Sequence, residues 1–197
     1  NEETGQFRQV EVWPEWTAGM PAADVKYRFQ WTFPLLISPH DNNTVYVASQ
    51  YVHRTTNGGQ SWDVISPDLT RQISRDSLPL QGRIQPPDAV DLHASTALYG
   101  NISTLSVSPV RPGLVAVGTD DGLVQVTTDD GSTWKETDGF PGVPKMMKVG
   151  MVAWSSAAEG TLFAVFDGHK DNIFQPFVVR SDDFGDSWSN VTGDLPA

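Results

Sequence analysis

The chain has 197 residues, 39% of them hydrophobic and 10% aromatic, with 17 Gly and 14 Pro, enough for one sizeable core cut by many turns. A formal net charge of −11, from 24 acidic and 13 basic residues, repels a phosphate backbone and an anionic lipid surface alike. Nucleic acid and membranes are therefore disfavoured, and cationic partners or neutral glycans stay open. The absence of Cys excludes disulfides and thiolate metal sites, and no apolar run approaches the roughly 20 residues that span a bilayer. No signal peptide is visible, and a first residue of Asn rather than Met points to a processed or trimmed chain.

Taken in chain order, Arg8-Gln9-Val10-Glu11-Val12 alternates like a lone outer strand, which Trp13-Pro14 breaks. Three repeats follow, at Phe33 to Leu69, Ser103 to Pro141 and Val149 to Pro196. Each opens on an apolar strand that ends in Ser-Pro or Ser-Ser: Leu35 to Ile37, Leu105 to Val107, Met151 to Trp154. An alternating strand comes second, at Val45 to Val47, Leu114 to Val117 and Leu162 to Val165. A third leads into a Gly-rich turn, at Tyr51 to Thr55, Leu123 to Thr127 and Phe177 to Ser181, and a short fourth strand follows a Trp. Four antiparallel strands in about 40–45 residues make one β-propeller blade. The expected fold is all-β, with three consecutive four-stranded blades belonging to a larger ring. The expected division is 1–32 for an N-terminal strand and linker from a preceding blade, 33–69 for blade one, and 70–102 for a long inter-blade loop. Blade two with its linker takes 103–148, and blade three takes 149–197.

The turn between strands three and four repeats as [S/T]-x-[D/N]-x-G-x-[S/T]-W. Its key residues are Thr55, Asn57, Gly59 and Trp62 in blade one, Thr127, Asp129, Gly131 and Trp134 in blade two, and Ser181, Asp183, Gly185 and Trp188 in blade three. The Asp or Asn accepts N–H groups across its own turn, the Gly takes a positive φ, and the Trp folds into a gap between strands. Three copies at equivalent places are not chance, and the Asn in the first argues against a required carboxylate. The turns are read as scaffold.

These turns look like the Asp-box of sialidase-type and sortilin-type propellers. With YRFQWTFPLLISPHDNNTVYVASQYVHRTTNGGQSWDVISPDLTR, GTDDGLVQVTTDDGSTW and the third repeat, nearly the whole chain resembles bacterial sortilin-like or BNR-repeat propeller proteins, often labelled glycosyl hydrolases. The resemblance implies export (a secreted, periplasmic or cell-surface location) and one or two seven- to ten-bladed rings. It implies no established reaction.

Three blades leave two open faces, so the expected partners are the remaining blades of the same parent chain or a companion subunit. Meander topology places the boxes on one face, and the second-to-third-strand turns and blade linkers on the other. The irregular lengths all fall on that second face: the first linker (Thr70 to Asn101), the second (Asp138 to Lys148), and a hairpin tip from Asp167 to Pro176. Loops on a rigid scaffold commonly carry binding, which makes Arg83, His93, Tyr99, Asp120, Asp121, Asp167, His169 and Asp171 the binding candidates for a peptide, protein or glycan. A type I′ turn accounts for Asp120-Asp121-Gly122 without catalysis. The spacing of Asp167, His169 and Asp171 does not by itself make a ligand set, so no metal or cofactor is expected.

Sialidase chemistry needs a convergent arginine cluster, whereas Arg54 and Arg180 precede their boxes at one repeat position and read as scaffold. No phosphate loop, dinucleotide fingerprint, nucleophile elbow or His-Glu-x-x-His occurs. No catalytic constellation is visible, and an enzyme on this scaffold would be a glycoside hydrolase. Three readings stay open: a binding or assembly module, a hydrolase with two carboxyls about 5–10 Å apart, and a structural subunit docking through open blade edges.

Overall fold

The computed structural model describes residues 2–79, 82–90, 92–93 and 99–196. Part of the long linker thus lies outside the described residues. The chain forms three four-stranded antiparallel sheets, each in sequential order. Blade one holds β1 (Leu35–Ile37), β2 (Val45–Ala48), β3 (Val52–Thr55) and β4 (Asp63–Val64); blade two holds β5 (Ile102–Val107), β6 (Val115–Thr119), β7 (Leu123–Thr127) and β8 (Lys135–Asp138). Blade three holds β9 (Lys148–Trp154), β10 (Leu162–Gly168), β11 (Ile173–Ser181) and β12 (Ser189–Asn190). Among the first strands, β5 adjoins β1 on one side and β9 on the other. This is a β-propeller arc, and its blades are part of a larger ring.

Period-two side-chain alternation explains how the blades stack. In β6, Val115 and Val117 join the core shared with Tyr46, Ala48, Val52 and Leu69 of blade one. The intervening Ala116, with Leu114 just ahead, joins a second core containing Val149, Val152, Leu162 and Ala164 of blade three. Both faces of β6 are therefore buried, as in a strand sandwiched between layers. At Gly118 a Cβ would strike Val149 and Thr104, so glycine lets blades two and three meet backbone to side chain. Polar stitches run between the inner strands: Thr104 Oγ1 and Ser106 Oγ accept from Val152 and Trp154 N–H at 3.1 and 3.2 Å, and Ser103 Oγ donates to Val149 O at 2.6 Å.

The three box turns share one hydrogen-bond plan. The hydroxyl of Thr55, Thr127 or Ser181 donates to the Asn57, Asp129 or Asp183 side chain at 2.8–2.9 Å and accepts the box glycine N–H at 2.8–3.0 Å. The same Asx oxygen accepts the N–H of Ser61, Thr133 or Ser187 at 2.8–3.1 Å. The Thr133 and Ser187 hydroxyls, donating to Asp129 and Asp183 Oδ2 at 2.6 and 2.5 Å, together with these bonds hold the Asp129 carboxyl below the usual carboxylate range and bring Asp183 down to about 2. Each box glycine has φ between +76° and +94°, and the residue before it (Gly58, Asp130, Phe184) is left-handed too. In blade two the indole does more than fill a gap between strands: Trp134 Nε1 donates to Ile65 O at 3.1 Å and pins that blade to blade one, a bond that the Trp62 and Trp188 indoles do not make.

Residues 8–12 pair with no strand among the described residues; the segment runs beside the first box, where Arg8 Nη2 donates to Gly58 O at 2.8 Å. Two expectations need correction. The Asp120-Asp121-Gly122 turn is not type I′, which needs positive φ at both central residues. Only Gly122 is left-handed there, as in a type I turn closed by a glycine bulge. The third-repeat hairpin is no mere tip, because β10 and β11 run to Gly168 and from Ile173, leaving a single 3-10 turn at His169–Asp171.

Candidate functional site

On the linker face, Arg28 ties its own segment to two others. Its Nε donates to Gly100 O at 2.9 Å, and its Nη2 to Asp68 Oδ2 and Thr70 Oγ1, both at 3.2 Å. The Tyr27-Arg28 stretch is itself docked on Gln50 of blade one, whose side chain accepts Arg28 N–H at 2.7 Å and donates to Lys26 O at 3.0 Å. Gly100, at φ +84°, is the focus: a Cβ there would meet Arg28, Thr70 and Asp121 side-chain atoms at 3.6–3.7 Å. These are ordinary van der Waals contacts, so it is the left-handed φ rather than lack of space that favours glycine there.

Next to this knot lies a polar cavity of about 340 Å³, whose lining includes Arg28, Arg75, Asp76, His93, Tyr99 and Asp121. His93, left-handed at φ +58°, sets its Nε2 2.7 Å from Asp76 Oδ1. Arg75 Nη2 donates to Tyr99 O. Burial, reinforced by the Arg28 charge, lowers the Arg75 pKa, and burial pushes the Tyr99 phenol up to about 12.

Of the two blade-two carboxylates, Asp121 forms part of the cavity wall and Asp120 lies outside the lining, and both are held by hydrogen bonds. Asp120 Oδ1 accepts the N–H groups of Gly100 and Asn101 at 3.0 and 2.8 Å. Asp121, wholly buried, accepts from Thr119 Oγ1 at 2.5 Å and from Arg71 N–H at 2.9 Å. Arg71 then forks onto Asp138, with contacts of 2.9 and 2.5 Å, locking the long linker to β8. Burial raises the Asp120 pKa against the pull of its hydrogen bonds. Every other carboxyl with a resolved shift, among the described residues, goes down.

The structure thus brings together His93, Tyr99 and Asp121, with Asp120 close behind. Arg83 is exposed and does not line the cavity, and neither do Asp167, His169 or Asp171. Asp167 is occupied by His169, whose Nδ1 lies 2.5 Å away, although the Asp171 charge is felt at the Tyr99 phenol. Among the described residues, no three His, Asp or Glu side chains converge as a metal site. Arg54 and Arg180 are tied to Asp130 and Asp182 at 2.6 and 2.7 Å, away from the cavity. Sequence reasoning missed Arg28, Asp68, Thr70, Arg71 and Arg75. Four of them follow the Ser-Pro exit of blade one, and only their density of charge in a linker could have signalled them.

No protein-family model and no curated protein matches the chain. Solved structures do. An ancestral GH74 enzyme matches with a TM-score of 0.53 at 16% identity, over 81% of this chain and 18% of that one. YCF48 from Cyanidioschyzon merolae matches with a TM-score of 0.50 at 16% identity, over 84% of this chain and 42% of that one. The chain spans less than half the length of either protein, and at these identities the likeness is one of fold: a β-propeller.

Proposed function

We propose that the chain is an arc of an extracytoplasmic, sortilin-like propeller that binds a protein or peptide through its linker face. One observation carries this reading. The 340 Å³ cavity is assembled from residues 22–28, 68–76, 93, 99–100 and Asp121, and its polar groups are held in place: Arg28 on Asp68 and Gly100 O, Asp121 on Arg71 N–H, and Arg75 on Tyr99 O. Such a site offers fixed donors and acceptors for a polar main chain rather than a poised acid and base. The test is a peptide library titrated against the chain and against Arg75→Ala and His93→Ala. Affinity is expected to fall at least tenfold in both variants; unchanged affinity sinks the reading.

A glycoside hydrolase is the second reading: burial raises the Asp120 pKa, the direction a general acid needs, although its Oδ1 holds the Gly100 and Asn101 N–H groups and would have to be released. It requires a second carboxylate from elsewhere in the ring. Turnover of a polysaccharide panel that vanishes in Asp120→Asn while peptide affinity is absent would establish it in place of the first.

A further inference from the structure

The three blades share one rule for meeting their predecessor, and the rule identifies residues that belong to none of them. In blade two, a Cβ on the box glycine Gly131 would strike Ile65, three residues after Trp62 of the preceding blade. In blade three, Thr137, three residues after Trp134, donates its Oγ1 to the box glycine Gly185 O at 3.4 Å, while a Cβ on Gly185 would meet Val126 of the preceding blade. In blade one, the box glycine Gly59 is covered by Val10, and a Cβ there would strike the valine. Three residues before Val10 stands another aromatic, Phe7, which is 97% exposed. Val10 therefore occupies the place of Ile65 and Thr137, and Phe7 holds the sequence position of Trp62 and Trp134 while remaining exposed.

The inner strands carry the same message. Leu105 and Val107 of β5 are buried, as are Val152 and Trp154 of β9 at the same repeat positions. Their counterparts Leu35 and Ile37 in β1 are 63% and 56% exposed. Between β1 and the N-terminal segment lies a cavity of about 500 Å³ whose lining includes Trp13, Tyr27, Phe29, Phe33, Leu35 and Trp62. An apolar recess of this size on a sheet face marks an interaction surface.

We propose that residues 8–12 are the outermost strand of a blade preceding blade one, and that the recess seats that blade's three inner strands. The occupant is a three-stranded β-sheet of the same box-bearing type, hydrogen-bonded to the free edge of residues 8–12. A complete four-stranded blade does not fit. A second copy docking through blade three would bring Val191, the residue three after Trp188, onto Gly59, which Val10 already covers.

The test supplies the missing strands from the chain's own repeat. Residues 149–188, three strands with their box, are fused directly ahead of Arg8, replacing residues 1–7. Hydrogen exchange is then read in residues 8–12. Those amides are expected to slow at least tenfold relative to the unfused chain, and the fusion to stay monomeric. Unprotected amides in a fusion whose added strands are themselves protected overturn the proposal. A second measurement does not depend on the fusion folding. Deleting residues 1–12 frees Gly59 for a whole blade, so the shortened chain is expected to self-associate head to tail, and Val191→Asp to abolish this. The full chain is expected to keep its 21.6 kDa mass. Dimerisation of the full chain that Leu35→Asp abolishes, or a shortened chain that stays monomeric at the same concentrations, overturns the proposal.

Discussion

The two faces of the arc are built on opposite plans. On the box face, three turns repeat one set of bonds, with the same hydroxyl, the same Asx oxygen and the same pair of left-handed residues. On the linker face no two connections agree: a long linker leaves blade one, a short one leaves blade two, and blade three extends its own hairpin. A feature that recurs in every blade answers a need that every blade has, which is stability. A feature found once, such as the cluster around Gly100, answers a need of the assembled molecule. Repetition therefore separates scaffold from site without reference to any relative.

The comparison is most exposed where the repeated plan meets the next blade. Gly131→Val would force a branched side chain into φ +94° and against Ile65. A loss of about 3 kcal/mol or more is expected in urea unfolding, and a loss below 1 kcal/mol would break the claim that box glycines carry the stacking.

Next in size is His53, which interrupts the repeat, since Gln125 holds its place in β7 and Val179 in β11. Its ring is fully buried against Tyr27, its Nε2 lies 2.9 Å from Ser49 Oγ, and burial pushes its pKa down to about 4. The unfolded chain binds the proton more readily, so stability is full above pH 6.5 and falls as the pH drops toward 4. The loss amounts to about 3 kcal/mol. Chemical denaturation across that window should show the slope, and His53→Gln should flatten it.

On the linker face, Arg71→Ala removes the fork onto Asp138 and a bond to Asp121 O. About 1–2 kcal/mol should be lost, tempered because Asp138 is half exposed. Exchange should quicken in residues 70–75 while the boxes keep their protection. The smallest effect belongs to Asn57→Asp. If the boxes are interchangeable, Ser61 takes over as donor and stability shifts by no more than about 0.5 kcal/mol. A larger change would mean that the first box has a task of its own.

How much of this was legible in the sequence follows the same division. The strands and boxes could be read because alternation and turn chemistry are local. Thr127, Asp129 and Gly131 bond to one another within five residues. The left-handed residue ahead of each box glycine escaped notice, because Asp130 and Phe184 carry no glycine to mark it. The Arg28 cluster was illegible for a different reason. Its bonds to Asp68, Thr70 and Gly100 bridge 40 to 72 residues, and nothing local announces a contact of that span. Val10 stood in between: its alternation was visible, but its role depended on knowing what Ile65 does in the next blade.

The burial of β6 on both faces has a kinetic consequence. A chain of units that touch only their neighbours loses structure from its ends inward, since an end unit gives up one interface and a middle unit two. Every residue of β6 and β7 is buried, so blade two should be the slowest region to open, with blades one and three fraying on either side. Closing the ring would remove the ends altogether. The arc would then pass from graded, outside-in melting to a single cooperative event, and its most stable blade would no longer be distinguishable from the rest.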